Sequence, residues 1–364
     1  MSSNQDEEQS SAEPLTSVRD PLTLDTPAPL LQDIAGASAA EQTQEQLQVD
    51  SNVGDDIGNV VEAEPVGTLS GTAEVMHRAR LLWRDREPED TSDAVPHLSW
   101  GCLTAPGGTR LVAASRRGLS HAHDAVYRED AYAFRLTDKW LLFAIADGAG
   151  SKPLARVGAR LASDAAVAFL EQELGDQADE DISKRLHAVL AGALANAVTA
   201  VVVEAARRQR DPDDFASTLL VVAYRLASDD PLVGVAQVGD GGVAAQRQTG
   251  ECLPLTVADR GSFAGESYFL TSPETQLTWG KRAQVLRVTE PFDALLAATD
   301  GVWDDFTPPY GSLDTLFSQL SPILGAAESE PDKKLLDWLA YERRASFDDR
   351  TIVALLPGRV TPST

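Results

Sequence analysis

Two aspartate–glycine pairs in this chain each close an apolar run. Leu141-Leu142-Phe143-Ala144-Ile145-Ala146 leads into Asp147-Gly148, and Ala294-Leu295-Leu296-Ala297-Ala298-Thr299 leads into Asp300-Gly301. A strand built from such a run is buried, so the carboxylate at its end emerges rigidly at the rim of the core. Glu129-Asp130 stands in a comparable place before Ala131-Tyr132-Ala133-Phe134, and Asp348-Asp349 before Thr351-Ile352-Val353-Ala354-Leu355-Leu356. Carboxylates converging from several strand ends repel one another, and hard divalent cations resolve that repulsion. The pattern predicts metal-dependent catalysis.

The elements that must position these groups follow from periodicity. Strands are expected at residues 109–115 and 140–146. A helix follows, with Ser151 as its cap and Pro153 in its first turn, and Gly175 stops it after Leu174. A second helix is expected at 181–208, then strands at 217–226 and 232–238 joined by a Ser228-Asp229-Asp230-Pro231 turn, hence an antiparallel hairpin. Gly239-Asp240-Gly241-Gly242 leads into a strand at 243–246, and further strands are expected near 268–271, 284–288 and 295–299. A helical stretch at 313–340, broken near Pro322 and Pro331, precedes the last strand at 351–356. Strands, a helix pair, strands, then helix and strand predict an α+β layered domain rather than a βαβ repeat.

Composition bounds the alternatives. The formal net charge is -25, which speaks against nucleic-acid binding, since neutralising phosphates needs basic clusters. Residues 1–76 are expected to be a disordered acidic tail, with Arg19 alone against about fifteen carboxylates. It reads as a solvating tail, as a docking segment around residues 22–24 or 27–31, or as a regulatory tail phosphorylated at threonines such as Thr26. Residues 77–96 read as a linker with a short helix at 77–83, residues 97–358 as the catalytic domain and 359–364 as a C-terminal tail. Two cysteines, Cys102 and Cys252, suit a reducing cytoplasm, and no signal peptide is visible. The apolar stretch 188–203 is short and interrupted by Asn196 and Thr199, so a buried core helix is expected there and no membrane partner.

The order of the acidic motifs resembles the metal-dependent protein phosphatases of the protein phosphatase 2C family, in its bacterial branch. Arg128-Glu129-Asp130-Ala131, Ile145-Ala146-Asp147-Gly148-Ala149-Gly150, Ala216-Ser217-Thr218-Leu219, Val238-Gly239-Asp240-Gly241, Ala298-Thr299-Asp300-Gly301-Val302 and Asp348-Asp349-Arg350-Thr351 are similar to its successive motifs. The resemblance implies a two-layer antiparallel β-sandwich flanked by helix pairs, with the site at one end. It further implies two Mn²⁺ or Mg²⁺ ions: Asp147 bridging them, Asp300 and Asp348 completing one, Glu129 and the Gly148 carbonyl holding the other, and Asp130 supporting. Asp213, or Asp214 beside it, stands where the family has a ligand for a third, weaker ion. Two such ions ionise a water that attacks phosphorus in line, so hydrolysis of phosphoserine or phosphothreonine on a protein substrate is implied, opposing a Ser/Thr kinase. A monomer is expected.

Departures sharpen the reading. Asp240 is expected to organise its turn rather than bind metal, and Asp349 stands where the family usually has asparagine, keeping a hydrogen-bonding role while adding negative charge. The family's phosphate-gripping arginine has no counterpart at Ala125, leaving His121, Arg128, Arg116 or Arg117 to supply the positive charge. A metal-bound water or His121 is expected to protonate the leaving oxygen; otherwise His121 and His123 form a polar edge-strand pair. The rival reading is a pseudophosphatase that binds a phosphoprotein without turnover. Cysteine-phosphatase and haloacid-dehalogenase chemistry lack their signatures, because no arginine closely follows Cys102 or Cys252 and Asp147-Gly148-Ala149 lacks a second aspartate. The segment 259–266 is expected to be a mobile flap.

Overall fold

The computed structural model describes residues 83–358, apart from 176–181, 227–231, 259–267, 288–290, 326–328 and 343–345. The expected disordered tail, the 228–231 turn and the 259–266 flap lie outside the described residues, as does the 77–83 helix except Trp83.

Eleven strands form two antiparallel sheets. They are β1 Leu98–Thr104, β2 Arg110–Arg116, β3 Ala131–Leu136, β4 Trp140–Ala146, β5 Leu219–Arg225, β6 Leu232–Val238, β7 Gly242–Arg247, β8 Cys252–Pro254, β9 Ala283–Arg287, β10 Phe292–Ala298 and β11 Arg350–Leu356. One sheet runs β1-β2-β11-β10-β7-β8 and the other β3-β4-β5-β6-β9. The helices are α1 Leu119–Asp124, α2 Ala155–Leu174, α3 Ile182–Arg208, α4 Pro273–Gln276, α5 Trp279–Arg282, α6 Asp300–Trp303, α7 Leu313–Leu324 and α8 Pro331–Trp338.

Burial on both faces explains the unbroken apolar runs. In β4, Leu141, Phe143 and Ile145 point between the sheets, where they meet Leu295, Ala297, Val353 and Leu355 of the opposite sheet. Trp140, Leu142, Ala144 and Ala146 point outward and are covered by Ala162, Ala166 and Leu170 of α2 and by Leu186, Leu190 and Leu194 of α3. On the far side, Leu296 of β10 and Ile352 of β11 pack against Leu316 and Phe317 of α7 and Leu335 of α8. The expected sandwich flanked by helix pairs is therefore present. The stretch Arg185–Arg208 of α3 is apolar enough to cross a membrane by length and composition, with mean hydropathy 2.0; its apolar side here lies in the core.

Four local expectations fail for identifiable reasons. The 149–154 segment makes turns, with Leu154 N–H donating to the Asp214 carbonyl at 2.9 Å, so α2 starts at Ala155 with no side-chain cap from Ser151. Residues 268–271 make no strand: Leu270 is held by one bond, to the Ser217 carbonyl at 2.8 Å, and Pro273 then opens α4. Pro322 lies in the last turn of α7 instead of breaking it, and the break falls at Gly325. His121 and His123 sit on α1, not on an edge strand. Residues 84–96, read as linker, run irregularly across the domain. Arg156 binds Asp90 at 2.9 Å and Arg208 binds Asp93 through two nitrogens, while Arg86 and Glu89 donate backbone N–H groups to Ala122 and Ala125.

Candidate active site

Strand register brings the acidic motifs to one end of the sandwich. Ala131 pairs with Ala146, so Glu129-Asp130 before β3 lies beside Asp147 after β4. Ala298 pairs with both Ile352 and Gly242, which places Asp300, the Asp348-Asp349 pair and the Asp240 turn at the same edge of the other sheet. Asp147, Asp240 and Asp300 each offer a carboxylate oxygen, all within 4.8 Å of one another. Asp240, expected to serve its turn alone, thus stands among the expected ligands. Its signal was available, because the connection from β6 to β7 crosses from one sheet to the other at the edge where β4 and β10 end.

Asp130 spans the sheets. Its Oδ2 accepts from Thr299 Oγ1 at 2.9 Å and Thr351 Oγ1 at 2.6 Å, and Thr351 is in turn 2.6 Å from Ser115 Oγ. Its Oδ1 and the Oε2 of Glu129 are buried without a hydrogen-bond partner. Burial pushes Glu129 up to about 7, His121 opposing and Asp349 adding to the shift. Burial and the Asp349 charge likewise push Asp130 up to about 7. Asp147 and Asp300 are driven well above the usual carboxylate range by burial first, then by the Asp300 charge for Asp147 and the Asp240 charge for Asp300.

Asp349 has the expected hydrogen-bonding role, with more partners than a single pairing: it is the hub of the site. It is 1% exposed, and accepts backbone N–H groups from Gly118 at 2.6 Å, Glu129 at 2.5 Å and Asp130 at 3.3 Å. His121 Nδ1 lies 2.7 Å from Asp349 Oδ1 as an ion contact off the hydrogen-bond line, and its Nε2 lies 3.8 Å from Glu129 Oε2. Burial pulls the His121 pKa down, but the Asp349 contact and the charges of Asp349, Asp348 and Glu129 prevail and raise it to about 9. Arg128 is buried next to Asp130 and Asp349, with two of its guanidinium nitrogens unpartnered. Close approach fixes two glycines here. A Cβ on Gly301 would fall 2.0 Å from the Asp349 carbonyl oxygen, and one on Gly118 2.3 Å from the Asp348 carbonyl carbon.

Gly148 follows β4 in a buried bridge to Ser217. Asp348 is half exposed, 3.8 Å from His121. Asp213 is not gathered into the cluster: it lies on an exposed turn, ion-paired with Lys152. Arg116 and Arg117 lie on the far side of α1, lining a separate cleft. Hard oxygen donors, two of them buried and unsatisfied, crowded with like charge, fit divalent cations.

Comparison with known proteins agrees with this geometry. The family description for protein phosphatase 2C matches residues 117–340. Serine/threonine-protein phosphatase 3 of Escherichia coli (strain K12) is 31% identical over 199 residues, covering 53% of this chain and 73% of that protein. Among solved structures, a serine-threonine phosphatase 2C from Toxoplasma gondii is 17% identical, covering 72% of this chain and 99% of that one, with a TM-score of 0.48. The Mycobacterium tuberculosis phosphatase PstP/Ppp is 19% identical, covering 69% and 99%, with a TM-score of 0.45. Match and motif order together place this chain in the protein phosphatase 2C family of serine/threonine protein phosphatases.

Proposed function

We propose that this chain hydrolyses phosphoserine and phosphothreonine monoesters on proteins, with two Mn²⁺ or Mg²⁺ ions held by Asp147, Asp300, Asp348, Glu129 and the Gly148 carbonyl. The observation that supports it most is the meeting of Asp147, Asp240 and Asp300 within 4.8 Å at the strand ends. When bound, such ions supply Lewis-acid neutralisation of a phosphate ester and an acidified water.

The chain's own residues hold that arrangement. Asp130, gripped by Thr299 and Thr351, ties the two sheets together behind the site. Asp349 fixes the backbone from which Glu129 and Asp130 project. His121, protonated near neutral pH because its pKa is raised to about 9, is the cation at the carboxylate ring and the proposed proton donor to the leaving oxygen. Asp240 joins as a further carboxylate. Asp213, paired with Lys152, serves a third ion only by leaving that pair. The protein acts as a monomer in the cytoplasm, opposing a Ser/Thr kinase.

The test is hydrolysis of p-nitrophenyl phosphate and of a phosphothreonine peptide by the full chain with Mn²⁺, with and without EDTA. Turnover abolished by EDTA supports the reading. Metal uptake without hydrolysis of either ester overturns it and favours a phosphoprotein-binding pseudophosphatase.

A further inference from the structure

Behind α1, residues 83–85 together with β1 and β2 enclose a cleft of about 450 Å³. Arg84, Arg116 and Arg117 line it against a single carboxylate, Asp85, while Trp83, Leu98 and Leu119 give it an apolar wall. On a chain of formal net charge -25, a concave surface carrying three guanidinium groups runs against the background. Arg117 is committed to the fold: it donates to the Arg86 carbonyl at 3.0 Å and the His121 carbonyl at 2.9 Å. Arg84 and Arg116 have no side-chain partner among the described residues. Leu98 and Leu119 are 41% and 44% exposed, so the apolar wall is open.

The cleft is one helical turn from the carboxylates. The same short helix carries His121 to Glu129 and Asp349 on one side and presents Leu119 and Ala122 to the cleft on the other. Trp83 packs on Phe347 with ring centroids 4.9 Å apart, and the Phe347 carbonyl accepts from the Ser120 N–H and hydroxyl just before Asp348-Asp349.

We propose that this cleft seats a stretch of the phosphoprotein substrate flanking the scissile phosphate, one that carries both carboxylate and apolar side chains. This rests on the phosphatase reading above and names the substrate class it acts on. A guanidinium fork matches a carboxylate bidentately, and a chain emerging from the carboxylate ring around α1 meets Arg84 and Arg116. Charge complementarity of this kind acts on encounter and on KM rather than on the bond-breaking step.

The test pairs two phosphopeptides with the same phosphothreonine, one flanked by Asp, Glu and Leu, the other by Gly, Ser and Ala. Wild type is expected to show the lower KM on the acidic peptide. In Arg84→Glu/Arg116→Glu, the ratio of the acidic-peptide KM to the neutral-peptide KM is expected to rise about tenfold, two attractive exposed pairs having become repulsive. In parallel, anisotropy of a labelled, non-phosphorylated acidic peptide measures the cleft without turnover. Its binding is expected to weaken in the variant and with added salt. No preference between the peptides in wild type, or a ratio unmoved by the variant, overturns the cleft assignment even where p-nitrophenyl phosphate is hydrolysed. Absence of all hydrolysis together with arginine-dependent peptide binding defeats the enzymatic reading and leaves the cleft standing. Undiminished binding of the labelled acidic peptide in the variant overturns the cleft assignment whatever the enzyme does.

Discussion

Replacing Asp349 by alanine strips a buried acceptor from three backbone N–H groups and from the His121 cation at once. The Gly118, Glu129 and Asp130 donors sit 2.6, 2.5 and 3.3 Å from its oxygens. Each buried donor left unsatisfied costs about 1–3 kcal/mol, and breaking a buried ion contact by removing one partner costs about 3–5 kcal/mol. These overlap, and water entering the gap recovers part, so the net expectation is roughly 4 kcal/mol and a fall in Tm of about 10 °C. Asp349→Asn keeps one oxygen but turns an amide toward donors on the other side, so about 1–3 kcal/mol is expected. The pH dependence gives the signature. The His121 pKa is raised from 6.5 to about 9, so folding gains from its proton in full below pH 6.5 and loses that gain as pH rises through 9. Urea unfolding of metal-free wild type and Asp349→Ala should therefore differ more at pH 6 than at pH 9.5. A variant within about 1 kcal/mol of wild type at both pH values, well below the cost of the buried contact, would refute the assignment of Asp349 as the hub.

Asp147→Asn should abolish turnover and manganese uptake by calorimetry. It should leave the metal-free protein at least as stable as wild type, because one of several crowded charges is gone; saturating Mn²⁺ at about a hundred times Kd should add about 2.7 kcal/mol to wild type only. Glu129 and Asp130 are both raised to about 7, from 4.5 and 3.8. The folded state thus keeps protons the unfolded chain has lost, and metal-free stability should fall as pH rises from about 4 to 7. Mn²⁺ should flatten that slope; equal urea midpoints at pH 5 and 8 without metal would contradict it. Gly301→Ala puts a methyl 2.0 Å from the Asp349 carbonyl oxygen, so it should cost about 3 kcal/mol and lose metal affinity even where circular dichroism shows a folded domain.

Much of the fold could be read because burial on both faces leaves an unmistakable mark. The six apolar residues before Asp147 and the run before Asp300 became β4 and β10 within a residue or two. Elements with mixed exposure left no such mark. β1 alternates exposed and half-buried residues around Gly101, and β8 is three residues long; neither has a run to detect. Ser151 and Pro153 form a good helix-start signal, but the Asp214 carbonyl captures the Leu154 N–H and the helix waits one turn. Local chemistry lost there to a tertiary contact.

The site shows the same division between what one strand encodes and what only packing decides. Positions at strand ends were legible one by one, since each strand ends where its apolar run ends. Asp240 reads as a turn residue because a glycine-flanked turn explains an aspartate by itself, while the strand order of the two sheets is what carries it beside Asp147 and Asp300. Asp349 reads, in the sequence, as a hydrogen-bonding residue that adds one more negative charge beside metal ligands. In the fold it accepts three N–H groups and faces His121, while Arg128 lies buried beside it and Asp130. Two apparent oddities, a histidine in place of the expected arginine and an aspartate in place of the expected asparagine, are thus halves of one contact. Neither half can be interpreted alone: without Asp349, His121 loses its nearest counter-charge and keeps only Glu129 and Asp348 at 3.8 Å, and without His121, Asp349 adds a charge opposed only by Arg128 to a ring already crowded with carboxylates.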